Sequence, residues 1–323
     1  MKEKKTLINV LKTRTFLFVF PFILFLFILF LINIIPVPAA ESNYGLKTLT
    51  PEEKLALYNL RQERWEVNSR NIIKRVSSFR GEVGIMVKDL QTGWSFSHDE
   101  DRLFPAASLI KIPIMVACFK ATQDGLLNLD EKYLLNRQDK TGGSGLLRKM
   151  RSGRVFTLEQ LIDYMVTHSD NTATNVLIGR LGFDYINNVF KQLGLEKTVL
   201  NRKMIDFYAR DQGLENYTTA AEISNLLEKI YDHKCLNAEV SERCLEVLKR
   251  QKINDRLPRY LPPEVLVAHK TGLEREVCHD AGIVFSPSGD YVITVLVRTW
   301  AGPNAAKNLI ARLSSYFYQV FKT

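Results

Sequence analysis

Four cysteines in 323 residues are too few and too scattered to staple a disulfide scaffold. The chain has no Cys-x-x-Cys and no cluster among its five histidines, so nothing in these residues suggests a metal. Internal repeats and low-complexity tracts are also missing, which excludes a solenoid or a disordered polymer. The formal charge is +9, yet no basic run is interleaved with aromatics and no nucleic-acid motif is present, so nucleic acid is not an expected partner. Lys2, Lys4, Lys5, Lys12 and Arg14, set against Glu3, supply four of those nine charges. The remainder is a mildly basic surface suited to anionic substrates or an anionic wall.

With 46% hydrophobic and 24% charged residues, the chain is ordinary globular material, long enough for one large domain or two lobes. Its long apolar run, Phe16 to Ile35, comes after the basic flank, the layout of an export signal or a signal anchor. Twenty apolar residues are enough to span a bilayer, whereas Val37-Pro-Ala-Ala40 offers small residues suited to cleavage. Residues 1–40 are read as a signal peptide or N-terminal membrane anchor, with the balance toward the anchor, and 41–50 as a polar linker. The chain after about residue 40 is expected outside the cytoplasm, membrane-anchored or secreted into the cell envelope, and monomeric. No cysteine stands close behind the apolar run, so lipid attachment there is not expected.

From Pro51, apolar residues recur at helical spacing through Leu55, Leu57, Leu60, Trp65, Ile72, Ile73 and Val76, which predicts a long amphipathic helix. Glu82 to Leu90 is strand-like, Gln91-Thr-Gly93 is a turn and Trp94 to Ser97 returns as a second strand. Phe104 to Phe119 reads as a buried helix. Capping boxes, Thr157 with Gln160 and Thr219 with Glu222, open two more helices. The piece between, Leu200 to Tyr217, is loop-rich. Strand signals return at Val265–Ala268, Ala281–Phe285 and Tyr291–Val297, the last two joined by a turn at Ser286 to Asp290, and a helix over Ala305 to Phe321 closes the chain. The simplest assembly is an α/β arrangement of the α+β kind: one antiparallel sheet built from both chain ends and flanked by helices, plus an all-helical lobe. The predicted boundaries are 51–104 with 253–323 for the α/β lobe and 105–252 for the helical lobe.

Within the buried helix stands Lys111, a hydrated ammonium among apolar neighbours, where burial without a partner costs several kcal/mol, roughly. Ser108 lies three residues earlier, and an i, i+3 pair shares a helix face, so hydroxyl and amine can meet. Desolvation lowers a lysine pKa, and a neutral amine can take the serine proton. The alternative is a Ser108 cap with Lys111 snorkelling to water. Ser169-Asp-Asn171 lies between two helices, where it also reads as an N-cap. Lys270-Thr-Gly272 is expected to end a strand, where a cation, a hydroxyl and a residue without a side chain can hold a carboxylate and admit a substrate to the backbone. Lys140-Thr-Gly142 repeats the tripeptide inside the polar, Gly-rich stretch Asp139 to Gly145 and reads as loop.

The three motifs in order, Ser-x-x-Lys after a hairpin, Ser-Asp-Asn 61 residues on and Lys-Thr-Gly 101 residues later, resemble those of the class A serine β-lactamases and the wider penicillin-recognising enzymes. Phe104-Pro105 and Asn175 extend the likeness, which covers most of the chain from about residue 50. The resemblance implies a β-lactamase/transpeptidase-like fold, no metal or organic cofactor, and a small-molecule β-lactam or a D-alanyl-D-alanine-type cell-wall peptide as partner. It implies that Ser108 attacks the lactam carbonyl, Lys111 accepts or relays its proton, and Ser169 passes a proton to the departing nitrogen. Asn171 would bind the substrate's side-chain amide, Lys270 and Thr271 its carboxylate. Gly272 would leave the backbone open, and the N–H groups of Ser108 and Leu273 would form an oxyanion hole, worth on the order of 3 kcal/mol per donor.

The family also supplies a glutamate that activates water to clear the acyl-enzyme, in an Arg-x-Glu of the loop after the second motif. Here Arg202-Lys-Met204 puts a thioether, which cannot be a general base, at that place. Asp206 and Glu215 are the nearest substitutes. Asn216 stands where an aspartate is expected, which predicts that Arg202 loses a charged partner. His168, His269 and His279 are read as neutral hydrogen-bonded residues and Arg275 as a solvated loop charge. The reading is an exported serine hydrolase that opens the β-lactam amide through a Ser108 acyl-enzyme. The alternatives are a D-alanyl-D-alanine carboxypeptidase-like enzyme or a slowly turning over penicillin-binding sensor.

Overall fold

The computed structural model describes residues 49–322. The apolar run, the cleavage-like site and most of the 41–50 linker lie outside the described residues, among which no helix is long and apolar enough to cross a membrane.

Thr50 starts the first helix with a reciprocal capping box to Glu53, and α1 runs Pro51–Ser77. Its buried face is narrower than the spacing predicts: Ile72 and Val76 are buried, but Leu55 and Ile73 point largely to solvent. The strands β1 (Gly81–Asp89) and β2 (Ser95–His98) form the expected hairpin. They join β7 (Leu266–Glu274), β8 (Val277–Phe285) and β9 (Tyr291–Thr299) in one antiparallel sheet of order β2-β1-β9-β8-β7. Alternate residues along a strand face opposite sides, and β9 uses both. Tyr291, Ile293, Val295 and Val297 pack with α1 and the last helix, α9 (Pro303–Phe321), whereas Val292 and Leu296 join the helical core.

Lys270-Thr-Gly272 does not end its strand. β7 continues to Glu274 and turns through Arg275-Glu276 into β8; two charged residues carry no Gly or Asn signal for so tight a turn.

The opposite face of the sheet carries α2 (Lys111–Gln123), α3 (Leu158–Thr167), α4 (Asn171–Leu181), α5 (Phe183–Gln192), α7 (Ala220–Tyr231) and α8 (Ala238–Lys249); α6 (Phe207–Asp211) is a short turn inside the loop. Nearly every side chain of α2 is buried, as in a helix enclosed by others on all sides. The sequence pattern missed α5, which buries Ile186, Val189 and Phe190. Two-residue strands β3 (Phe104–Pro105) and β6 (Tyr217–Thr218) pair, and β4 (Lys132–Leu134) pairs with β5 (Val155–Thr157). The Thr157–Gln160 capping box forms in full. At α7 only half of the predicted box exists. Thr219 caps the Glu222 N–H, but the Glu222 carboxylate turns away to accept from the N–H groups of Lys197 and Thr198 and from the Thr198 hydroxyl. It thereby pins the entry to the loop. All four cysteines are buried free thiols, Cys235 and Cys244 included.

Candidate active site

Ser108 lies in a 3-10 turn, Ala107–Ile110, that runs directly into α2 at Lys111. Ala107 has φ 44°, a left-handed conformation that costs a non-glycine residue about 1 kcal/mol or more. The turn is held from two sides. His279 on β8 meets the Pro105 carbonyl at 2.8 Å, and a Cβ on Gly272 would stand 3.2 Å from His279 and 3.5 Å from the Ala106 carbonyl. Glycine lets β7 approach the nucleophile turn this closely. Burial lowers the His279 pKa to about 4. Its neutral ring donates from Nε2 to Pro105 and accepts at Nδ1 from the Val297 N–H at 3.1 Å, as a structural histidine does.

Lys111 does not reach for water; its side chain has no exposed surface. Its ammonium nitrogen lies 2.8 Å from the Ser169 carbonyl, 3.3 Å from Ser169 Oγ and 2.8 Å from Asn171 Oδ1. Desolvation lowers the Lys111 pKa to about 7, against the opposing pull of Asp170. Lys270, equally buried, donates to Ser169 Oγ at 3.0 Å and to the Thr271 carbonyl at 2.8 Å. Its pKa falls well below the usual lysine value, first by desolvation and then by the repulsion of Lys111 and Arg256. The Ser169 hydroxyl therefore sits between two amines, and Ser169 itself has φ 53°. A hydroxyl so placed can take a proton on one side and give one on the other.

Asp170, not Ser169, caps α4: one carboxylate oxygen accepts from the Ala173 N–H at 3.0 Å, the other from Leu146 at 2.6 Å and Leu147 at 2.8 Å. Gly145 is required beside it, since a Cβ there would lie 2.3 Å from Asp170 Oδ2. Asn171 is oriented from both ends, accepting from Lys111 and donating to the Gly142 carbonyl at 3.0 Å. Thr271 is buried on β7 and Leu273 is about half exposed. β7 is an edge strand, and half of an edge strand's backbone groups have no ladder partner.

Met204, which the sequence reading sets at the place of the family's glutamate, is 5% exposed. Its backbone is clamped by Asn175, which accepts from the Met204 N–H at 2.8 Å and donates to its carbonyl at 3.1 Å. Neither substitute carboxylate is free: Asp206 caps α6 through the Ala209 N–H at 3.0 Å, and Glu215 pairs with Arg202. Arg202 has not lost its charged partners. It binds Glu215 at 2.9 and 3.1 Å and Glu274 at 2.9 and 3.0 Å, and these carboxylates raise its pKa against burial. Asn216 bonds instead to the Asn201 and Arg202 backbone. No sequence signal marked Glu274, which lies 72 residues beyond Arg202. His269 bonds Asp280 and Asn254, His168 bonds Thr167, and Arg275 is exposed.

This arrangement can be compared with known proteins. The model of the β-lactamase enzyme family matches residues 68–321. The chain belongs to that family. A β-lactamase from Rhodobacter capsulatus is 27% identical over 209 residues, 64% of this chain and 70% of that one. The crystal structure of a β-lactamase from Sphaerobacter thermophilus aligns with TM-score 0.73 and 29% identity, covering 80% of this chain and 97% of its own. PBP-A aligns with TM-score 0.70 and 32% identity, covering 81% and 96%. The expected fold and the expected family both hold, and the chain is a class A β-lactamase-like serine hydrolase.

Proposed function

We propose that this β-lactamase family member is acylated at Ser108 by β-lactam amides and releases the acyl group slowly. Lys111, held near neutrality by burial, takes the Ser108 proton. Ser169, between Lys111 and Lys270, protonates the departing nitrogen. Lys270 and Thr271 receive the substrate carboxylate, with Gly272 giving access to the β7 backbone. Asn171 receives the side-chain amide, and the Ser108 and Leu273 N–H groups stabilise the tetrahedral oxygen. The reading is supported by a solved acyl-enzyme complex of penicillin G with a leucine-to-glutamate variant of PBP-A, 33% identical to this chain over 81% of its length.

The observation that carries the slow release is Met204, a buried thioether where a water-activating carboxylate is needed. It also favours a second reading, the same acylation chemistry applied to D-alanyl-D-alanine cell-wall peptides. Export across the membrane, with residues 1–40 as signal or anchor, is part of the proposal and rests on the basic flank and apolar run.

The test is intact mass after mixing the purified chain with penicillin G. The parent gains one penicilloyl adduct that persists, and Ser108→Ala gains none. Met204→Glu clears the adduct faster by about 100-fold, the lower range for a general base. An adduct that forms equally on Ser108→Ala removes Ser108 as the nucleophile, and rapid turnover by the parent removes the slow-release reading.

A further inference from the structure

The second Lys-Thr-Gly tripeptide, Lys140 to Gly142, lies in a loop, as its polar surroundings indicate, yet it is bonded to the site. The Thr141 N–H donates to Thr172 Oγ1 at 2.9 Å, Thr141 Oγ1 accepts from Asn175 Nδ2 at 3.1 Å, and the Gly142 carbonyl accepts from Asn171 Nδ2 at 3.0 Å. Ser144 adds a carbonyl that accepts from the Asn171 N–H at 3.1 Å. Asp170, which caps α4, and Asn171, Thr172 and Asn175 in its first turns are thus bonded to one loop between Thr141 and Leu147.

We propose that Thr141 is a positioning residue: its hydroxyl accepts from the Asn175 amide and holds it in the orientation that bonds both Met204 backbone groups, and so steadies the Met204 backbone. The proposal rests on the site assignment above, with Met204 in the glutamate's place. A threonine hydroxyl has one proton, and Thr141 directs it at the Asp139 carbonyl, 3.2 Å away. Toward Asn175 it can then only accept. That requires the amide's N–H₂ on the Thr141 side, where it also reaches the Met204 carbonyl, and turns Oδ1 to the Met204 N–H. Backbone groups fix both ends of the chain, since the Asp139 carbonyl can only accept and the Met204 N–H can only donate. Ile205, the next residue, has φ 64°, a conformation that persists only where neighbours impose it. The clamp on Met204 opposes that strain. Asn175, Thr141 and Lys203 also line a cleft of about 410 Å³, so solvent stands ready to replace any bond in the chain that is lost.

The test reads the Met204 amide hydrogen exchange of the full-length, unacylated chain, with the acyl lifetime as second readout. In Thr141→Val, which keeps the shape and removes the acceptor, Met204 exchange rises about tenfold, the effect of losing one net hydrogen bond in a local opening. Thr141→Ser restores the parent value within about threefold. The amides of β7 to β9 do not change. Asn175→Asp, which keeps the acceptor for the Met204 N–H but cannot donate, loosens Met204 as well. The penicilloyl adduct of Thr141→Val clears several-fold faster as water gains access. The proposal is overturned if Met204 exchange in Thr141→Val stays at the parent rate, if Thr141→Ser loosens it equally, or if exchange rises across the whole sheet. A chain that is never acylated would defeat the proposed function, while the exchange result would still decide the role of Thr141.

Discussion

Lys111 shows how much of the chemistry depends on one buried amine. Its pKa near 7 comes from desolvation, so the neutral, proton-accepting form grows as pH rises. Acylation of Ser108 is expected to increase about tenfold per pH unit below about 7 and to level off above it. Lys111→Arg, permanently charged, should remove this limb together with the activity; stopped-flow acylation across pH 5–9 measures both. Ser108, Lys111, Ser169 and Lys270 could be singled out in the sequence because each motif is a local string. Their contacts were not. The i, i+3 rule assumes a regular helix, whereas the serine stands in a 3-10 turn and the amine bonds Ser169 and Asn171, about sixty residues away. Met204 was legible as a missing carboxylate, but its clamp by Asn175 was not, since amide-to-backbone bonds leave no trace in residue spacing.

Among the elements, the loop from Leu200 to Tyr217 was readable as irregular and its anchors were misread. Expectation placed a charge at residue 216 and found asparagine; the structure moves the charge to Glu215 and to Glu274 on β7. Arg202, with 1% of its side chain exposed, bridges the two, and Arg210 adds a second contact to Glu274. Pairs this buried matter chiefly when broken, because the surviving charge stays desolvated. Arg202→Met, with Arg210 still facing Glu274, is expected to cost about 3 kcal/mol in denaturant unfolding. Glu274→Gln should cost less, since it keeps the volume and leaves Glu215 paired. Helix starts were the most legible features: the helix expected from Pro51 begins there, and Thr157 follows the capping pattern in full. Glu222 departs from it because three donors at Lys197 and Thr198 outcompete one backbone N–H.

In the whole molecule, the layout with strands at both ends and helices between was legible from the order of periodicities. The pairings that hold it were not. Arg61, buried in α1, meets Asp89 at the end of β1, the carbonyls of Val320 and Phe321 at the end of α9, and the Ser288 carbonyl. An arginine in an otherwise weak amphipathic pattern carries no sign of such a role. Arg61→Met is expected to lower stability by about 3–5 kcal/mol by stranding Asp89 in the core, with the acylation rate of the remaining folded protein unchanged; chemical unfolding followed by tryptophan fluorescence checks the first and stopped-flow mass analysis the second.

The pairing of β1 with β9 also has a bearing on how the protein is made. Gly81 aligns with Thr299 and Asp89 with Tyr291, so β1 finds its partner strand about 200 residues further along the chain. Until β9 has emerged, the edge of β1 that pairs with it has no permanent partner. Pairings of such long sequence separation form late and slowly. The sheet therefore cannot close before β9 is available, a delay that suits the export proposed above, which requires a polypeptide still unfolded when it meets a narrow pore.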